Sequence, residues 1–438
     1  MAYLISLLSL GLIFFARKLY SRYYLTPTGI LAATWIIFIL LHLLVAREMY
    51  FSVAAAVLFV LFIFSFFVGE ILAYLYVELN DESAIRKYIS KVDGKAVLTT
   101  FQEPKVKRLF GLLLLLLGLL SFGGSILYVK AFVNYFGSVV NILTAGWALR
   151  GALEEISIPL FTRAILMLGY SAIILSLIYT MVYKQFKWYL LLPYISLLIM
   201  GITQAGRAGF IMILFQVFIW VYWKEIFKQV INDEKEALKI NPEYLLIKKS
   251  FKLILIIVIV FVGGDMLRSQ SFSLTGDVLG QGISSFKQYL FTGISAFTSN
   301  LNNYNIEPLG WGRFSFSSLY DLLGIHKNQI GIYDVYLRVS NADYELEGNI
   351  FTAFRQLMDD FGITGTIIAM IFLGALSHIF FRRAIKGDLS SIAFMIVLYT
   401  FLFHTVLLAI TVHNGVLISM VFPFVALNFL KKSINLNL

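Results

Sequence analysis

The sequence predicts an all-α protein that crosses a membrane about 11 times, as a single integral membrane domain over residues 1–438. Of the 438 residues, 59% are hydrophobic and 14% are charged, and the mean hydropathy is +0.83. Soluble domains carry about 25% charged residues, so this balance excludes an ordinary soluble protein. The chain has no cysteine, which excludes disulfides, thiolate metal sites and cysteine nucleophiles.

The predicted spans are apolar runs, each roughly long enough to cross the hydrocarbon layer as a helix. The first run lacks a charged segment before it and a small-residue cleavage site after it. It therefore reads as a retained helix and not as a signal peptide. The runs cover residues 3–16, 28–46, 51–76, 109–129, 164–183, 189–202, 210–223, 253–264, 363–380, 389–403 and 416–430.

The positive residues predict the orientation of these spans. With alternating crossings, one set of loops holds roughly 24 of the 35 lysines and arginines, as expected of cytoplasmic loops. This places the N-terminus outside and the C-terminus in the cytoplasm. The net charge of +10 is then explained by topology, so we predict no nucleic-acid partner.

Two long segments, 130–163 and 265–362, fall on the predicted extracytoplasmic side, and they offer the most room for chemistry. The first is predicted to be interfacial, and the second is a large loop bearing amphipathic helices. The predicted cytoplasmic loops contain no Gly-rich phosphate loop and no Asp-x-Asp sequence, which argues against a nucleotide donor. The five histidines lack metal-ligand spacing, so neither a metal nor another cofactor is predicted.

The stretch "NIFTAFRQLMDDFGITGTI" at 349–367 is predicted to open with an amphipathic helix at the outer interface. At about 100° per residue its apolar and polar side chains separate onto two faces, the polar one turned to water or to a site. Arg355 and Asp359 are four residues apart and are spaced to pair. Gly362 is predicted to break the helix before the next span. The polar face carries Asn349, Thr352, Arg355, Gln356, Asp359 and Asp360.

Other polar residues also fall at the predicted outer boundary. Arg207, between glycines in "TQAGRAG", is either an anchor for lipid headgroups or a ligand for a phosphate-bearing substrate. Arg268 lies just past the eighth span. The stretch "NLNNYNIEPLGWGRFSFSSLYDLLG", with Arg313, is rich in residue types that bind sugars, although tyrosine and tryptophan are also common at membrane interfaces. Arg338 follows in a polar loop.

Three of these stretches resemble motifs of the oligosaccharide repeat-unit polymerases, the Wzy-type proteins that build bacterial O-antigen and capsular polysaccharides. They are "ITQAGRAG", "LGWGRFSFSSLYDLLG" and "NIFTAFRQLMDDFGITG", spread over about the C-terminal half. Ser315 stands where many relatives have threonine. The matching positions are Gly206, Arg207, Gly312, Ser315, Phe316, Asn349, Phe351, Thr352, Asp360, Phe361, Gly362 and Gly365.

The resemblance implies a GT-C-like fold and an enzyme in the bacterial inner or plasma membrane, with an extracytoplasmic active site. Its donor and acceptor would be oligosaccharides linked to undecaprenyl diphosphate, and the product a longer O-antigen, capsular or exopolysaccharide chain. Membrane lipids, a flippase and a chain-length regulator are the implied partners. Because such a donor carries its own leaving group, no nucleotide pocket is required.

On this interpretation Arg207 binds the diphosphate, with Arg268 or Arg355 as its helper, because departure of the leaving group builds negative charge. Asp360 or Asp359 is the expected acid/base or acceptor-orienting group.

Four further residues are predicted to contact or position the substrate. Asn349 and Thr352 would position sugar hydroxyls or brace the helix, and Arg313 and Arg338 would bind substrate.

Two alternatives from other classes stay open. A lipid-linked oligosaccharide flippase or another transporter would be expected to carry ionisable residues near mid-membrane and internal repeats. Glu70, the clearest acid within a span, lies near the predicted cytoplasmic end, and the sequence shows no evident inverted repeat. An O-antigen ligase would have a similar architecture with a different acceptor, the lipid A core. The stretch containing Asp360, Phe361 and Gly362 favours the polymerase over the ligase.

Overall fold

The structure is a computed structural model that describes residues 1–433 apart from eleven short gaps or single positions. The residues outside the description are 22, 81, 146–147, 150–154, 204–207, 232–241, 270–275, 303–308, 326–336, 341–345, 349–350 and 434–438.

The described residues are almost all helical, as predicted. Short 3₁₀ turns cover Arg17–Leu19, Trp188–Leu191 and Ile410–Val412. The helices are α1 (Ala2–Ala16), α2 (Pro27–Val45), α3 (Val53–Leu79), α4 (Ala84–Ser90), α5 (Gly94–Gln102), α6 (Pro104–Phe136), α7 (Val139–Thr144), α8 (Leu160–Tyr183), α9 (Leu192–Thr203), α10 (Ala208–Ile231), α11 (Pro242–Ser269), α12 (Gly276–Asn302), α13 (Ser317–Leu322), α14 (Ala353–Ala384), α15 (Leu389–His404) and α16 (Asn414–Lys432).

Eight helices in the described part are long and apolar enough to cross a membrane, so the chain is an all-α, multi-pass membrane protein. Three shorter apolar helices, Trp188–Thr203, Leu255–Gly264 and Leu389–His404, coincide with the remaining predicted runs. Several helices extend beyond the apolar run that predicted them. The run at 109–129, for example, lies within a helix that spans Pro104–Phe136.

The chain divides into two compact units. Unit 1 comprises Met1–Lys91, Lys287–Arg383 and Leu398–Asn414, and it contains the described candidate residues from 313 onward. Unit 2 comprises Val92–Phe286, Ala384–Val397 and Gly415–Leu438. Within unit 2, α6 packs against α8 and α9, and the Ser196 hydroxyl donates a hydrogen bond to the Ser121 carbonyl oxygen at 2.7 Å.

Two glycines let α3 and α14 touch backbone to backbone within unit 1. A methyl group added at Gly69 would overlap the carbonyl oxygen of Ile371 and lie 2.8 Å from its carbonyl carbon. A methyl group added at Gly374 would overlap the carbonyl oxygen of Phe66 and lie 2.9 Å from its carbonyl carbon. The contact is thus reciprocal. Small residues favour such close packing because lipid provides no hydrophobic drive for helices to associate.

Glu70, next to this contact, is fully buried. Its carboxylate accepts hydrogen bonds from the Tyr20 hydroxyl and from the Thr28 backbone N–H, the latter at 3.2 Å. A carboxylate in a span is tolerated only when it is satisfied in this way. Glu70, the clearest acid within a span, therefore joins α3 to the start of α2 in the structure.

An aromatic core surrounds the first turns of α14. The indole of Trp35 stacks on Phe354 at 5.1 Å between ring centroids, and its N–H donates to the Thr405 hydroxyl at 3.0 Å. Phe59 and Phe62 also pack against Phe354, at 5.9 and 5.3 Å. Aromatic burial of this kind is a large source of packing energy, so it fixes the start of α14 inside unit 1.

A two-stranded antiparallel sheet, β1 (Leu337–Arg338) and β2 (Glu347–Gly348), lies in the predicted extracytoplasmic segment. Ser340 forms a bridge with Met49, and the Tyr50 N–H donates to the Val339 carbonyl at 3.0 Å. These contacts tie the sheet to the loop between α2 and α3.

An ion pair between Lys287 and Glu48 tethers α12 to the same loop. Partial burial raises the pKa of the Glu48 carboxyl, but the hydrogen bond and charge of Lys287 and a backbone hydrogen bond together hold that pKa below its usual range.

Helix α14 is broken at Gly362, as the sequence predicts, with φ 67° and ψ −179°. That conformation is essentially restricted to glycine. A methyl group added there would touch only Leu309, at 3.6 Å, so the cost of a substitution lies in the backbone and not in crowding.

We expect Gly362→Ala to lower the free energy of unfolding by about 1–3 kcal/mol, the usual cost of a strained backbone. The measurement is the midpoint of thermal unfolding in detergent. Gly123→Ala is the matched control, because Gly123 is helical and has no atom within 4 Å of an added methyl group. Equal midpoints for the two variants would contradict the assignment of strain.

Candidate functional site

The carboxylate of Asp360 holds a turn formed by residues 310–316. One oxygen accepts a hydrogen bond from the Phe314 N–H at 2.9 Å, and the other accepts from the Ser315 N–H at 2.6 Å. The backbones also pair, because the Trp311 N–H donates to the Asp360 carbonyl at 3.0 Å and the Gly310 N–H to the Asp359 carbonyl at 2.9 Å. We call this arrangement the Asp360 clamp.

The glycines of "LGWGRF" explain why the turn forms at this position. A methyl group added at Gly310 would lie 2.6 Å from the Asp360 carboxylate, so any larger residue would push the clamp apart. Gly312 has φ 96°, a left-handed conformation that glycine adopts at little cost. Trp311 between them has φ 53°, which is rare for a bulky residue. The local sequence thus bends the chain around the carboxylate.

A third segment, residues 405–414, closes on the same turn. The Thr411 hydroxyl donates to the Ser315 carbonyl at 2.7 Å, and the Asn414 amide donates to the Ser318 carbonyl at 2.9 Å. The Ser318 hydroxyl in turn donates to the Val412 carbonyl. Three segments that are distant in sequence therefore meet: the 310–316 turn, the start of α14 and residues 405–414.

Gln356 and the N-terminal residue of α14 connect the helix to that third segment. The Gln356 amide oxygen accepts from the Ala409 N–H at 2.7 Å. The Ala353 N–H donates to the Thr405 carbonyl at 2.9 Å, which satisfies a donor that the helix itself leaves unpaired.

Arg355 and Asp359 form the predicted pair one turn apart, at 3.1 Å between Nε and Oδ2. The Arg355 guanidinium also lies over the Phe351 ring, 3.7 Å from its centroid. The two side chains are only 10% and 14% exposed, so water screens the pair little. An arginine held on two sides in this way presents a fixed positive charge beside a carboxylate.

The sequence left open whether the polar face of this helix meets water or a site, and water is excluded for Arg355, Gln356 and Asp360. The helix begins at Ala353, and Arg355, Gln356 and Asp360 are buried. Amphipathic periodicity identifies two faces but does not distinguish water from polar protein groups as the partner of the polar face. Here the polar face meets the 310–316 turn and the 405–414 segment.

Thr352 directly precedes α14, Arg313 lies in the clamped turn, and Arg338 lies on the small sheet. Thr352 is fully buried, and its hydroxyl has no hydrogen-bond partner among the described residues. Arg313 lies within the turn, with its guanidinium 5.5 Å from the Phe314 ring centroid. Arg338 is exposed in β1, and its Nε donates to the Ser340 carbonyl at 3.1 Å.

Three candidate residues cannot be placed in this geometry. Arg207 and Asn349 lie outside the described residues. Arg268 falls near the end of α11, but its side chain is outside the described part. Their roles stay predictions from the sequence.

No group of three or more histidine or acidic side chains in the described part is arranged to hold a metal ion. The described site instead combines carboxylates, arginines and hydroxyl groups. Such groups can bind phosphate, orient sugar hydroxyls or accept a proton.

The 405–414 segment is the part of the site that sequence reasoning missed. Its contacts use Thr411, Asn414 and backbone groups of residues 405–412, which carry no distinctive local motif. The only available signal was the density of hydroxyl and amide side chains in an otherwise apolar stretch.

No family model, curated protein or solved structure matches this chain.

Proposed function

We propose that this chain polymerises oligosaccharide repeat units carried on undecaprenyl diphosphate, by glycosyl transfer on the extracytoplasmic face of a bacterial inner or plasma membrane. The observation that carries the proposal is the Asp360 clamp. It joins "LGWGRFSFSSLYDLLG" to "MDDFGITG", two stretches that resemble polymerase motifs, through residues that lie 45 and 46 positions apart. Direct contact between them is expected if they build one site.

The proposed reaction uses a growing glycan as donor and a single lipid-linked repeat unit as acceptor. A hydroxyl oxygen of the acceptor bonds to the anomeric carbon of the donor's reducing-end sugar. The bond from that carbon to the diphosphate oxygen breaks, and undecaprenyl diphosphate leaves with the electron pair. The hydroxyl proton passes to a base. Fixed positive charge therefore has to stabilise the leaving group.

The geometry supports a division of labour between the two aspartates. Both oxygens of Asp360 accept backbone hydrogen bonds and the side chain is buried, which favours a positioning role. Asp359 is less enclosed and is paired with Arg355, so it is the better proton acceptor or acceptor-orienting group of the two. Arg355 supplies positive charge, and Arg207, Arg268, Arg313 and Arg338 remain the proposed diphosphate and substrate ligands.

The proposed setting follows the positive-inside pattern, with the N-terminus outside and the C-terminus in the cytoplasm. Functional partners would be a flippase that delivers repeat units and a chain-length regulator. The product would be O-antigen, including that of lipopolysaccharide, or a capsular or other exopolysaccharide.

Reconstitution tests the proposal directly. The purified full chain in liposomes would receive native lipid-linked repeat units extracted from cells that lack it. We expect a ladder of longer lipid-linked glycans and release of undecaprenyl diphosphate. Repeat units that cross the bilayer without growing would instead indicate a transporter. Transfer that requires added lipid A core would indicate a ligase.

We expect Arg207→Ala to lower the rate of elongation by about 10²-fold or more, the usual effect of removing a group that stabilises charge in the transition state. The readout is glycan length per unit time, with the amount of folded protein matched. Arg86→Ala is the control, because Arg86 lies in a predicted cytoplasmic loop and should leave elongation unchanged. A full rate in Arg207→Ala would remove this residue from the mechanism.

A further inference from the structure

The segment 309–325, which contains the clamped turn and helix α13, exposes large apolar side chains. Trp311 is 72% exposed, Ile325 is 64% exposed and Leu323 is 62% exposed. Leu309 and Leu319 are also exposed. Five large apolar side chains exposed within one 17-residue segment indicate a surface that meets another apolar phase or a partner.

The backbone hydrogen bonds of the clamp place this segment at the mouth of a membrane span. Gly310 and Trp311 bond to the carbonyls of Asp359 and Asp360, just before the break at Gly362. The apolar run begins at Ile363, which is exposed. The backbone of Trp311 is therefore bonded to a residue only three positions before the first exposed residue of that run.

Hydrogen bonds to neighbouring residues fix the backbone position of Trp311. Its left-handed backbone is held by the N–H bond to Asp360 and by the Tyr320 hydroxyl, which donates to its carbonyl oxygen at 2.6 Å. Strained conformations persist only where the surroundings over-determine them, and they concentrate at functional positions.

We propose that the 309–325 segment is a membrane-interface element, which inserts Trp311, Leu323 and Ile325 into the boundary between headgroups and acyl chains. Tryptophan favours that boundary because it combines an apolar ring with a polar N–H. The leucine and isoleucine neighbours distinguish a lipid surface from a sugar, which would be met by polar groups around the indole. The proposal stands independently of the reaction proposed above.

The insertion would set the depth of the Arg355–Asp359 pair relative to the bilayer surface. The turn holds α14 through Asp360, one residue from Asp359, so any change in how deeply the segment sits is transmitted to the pair.

Because the chain has no cysteine, an introduced cysteine is the only thiol available for labelling. Single Leu323→Cys and Ile325→Cys variants of the full chain would be labelled with an environment-sensitive fluorophore and placed in lipid nanodiscs. We expect blue-shifted emission that is quenched by lipids brominated near the headgroup and little affected by aqueous iodide. Glu347→Cys, an exposed position on β2, is the water-facing control and should show the reverse.

The fluorescence of Trp311 gives a second readout that requires no label. The difference between the native chain and Trp311→Phe isolates this indole from the other five tryptophans. Loss of that difference signal with shallow-brominated lipids supports insertion. Iodide quenching at Trp311, Leu323 and Ile325 as strong as at Glu347 would overturn it. Protection from iodide by soluble repeat-unit oligosaccharide alone would also overturn it and indicate a sugar surface.

Discussion

Asp360→Ala is expected to lower the free energy of unfolding by about 3–5 kcal/mol, because it leaves one buried and one partly buried backbone N–H group without an acceptor. These are the amides of Phe314 and Ser315, which both bond to the carboxylate. Asp360→Asn keeps one acceptor oxygen but turns an amide N–H₂ toward a donor, so about half of the loss should remain. The measurement is the thermal unfolding midpoint of each purified variant in detergent.

The same variants separate positioning from proton transfer. Removing a general base costs about 10²–10⁴-fold in rate, whereas a positioning residue loses activity mainly through misfolding. We therefore expect Asp360→Asn, assayed at a temperature where it is folded, to elongate glycans within about tenfold of the native rate, or about 1.4 kcal/mol.

Asp359→Asn is the matched variant, one residue away and less enclosed. It should be nearly as stable as the native chain and lose more activity. Full folding with more than about 100-fold loss in Asp360→Asn would return the acid/base role to that residue.

The second large effect is expected at the contact between α3 and α14. Gly69→Ala and Gly374→Ala should each lower the free energy of unfolding by at least about 2–3 kcal/mol, because overpacking forces backbones apart. Each added methyl group would overlap a carbonyl oxygen of the other helix, and a backbone cannot turn aside as a side chain can.

Gly11→Ala provides the control for this pair. Gly11 lies in α1, in the same unit, and an added methyl group would have no atom within 4 Å. Alanine is favoured over glycine in a helix by up to about 1 kcal/mol, so this variant should be as stable as the native chain or more stable. Because the two contacts are reciprocal, the double variant Gly69→Ala/Gly374→Ala should cost less than the sum of its parts. Simple additivity would argue against a shared contact.

Local features of the chain were predictable, and contacts between distant segments were not. The break at Gly362 and the pairing of Arg355 with Asp359 follow from residue type and from spacing along one helix. The spans follow from the apolar runs, but several helices end beyond those runs because polar flanking residues continue the helix. The partner of Asp360 lies 46 residues away, and no periodicity in the sequence encodes that distance.

The partners of the polar face of α14 were not predictable for the same reason. The sequence identified this face but left open whether it meets water or a site, because a hydrogen bond from Ala409 or Ser315 leaves no local mark at the residue that receives it. Gly69 is a similar case. Glycine in a span is common, and only the approach of Ile371 shows that this one is required.

The contacts made by residues 405–414 also fix when the site can be completed during synthesis. The turn at 310–316 is synthesised before Asp360. Thr411 and Asn414, which donate hydrogen bonds to the carbonyls of Ser315 and Ser318, are synthesised later still. Residues 405–414 connect the last two described helices of the chain. The contacts between residues 405–414 and the other two segments therefore form only after the chain has been synthesised as far as Asn414.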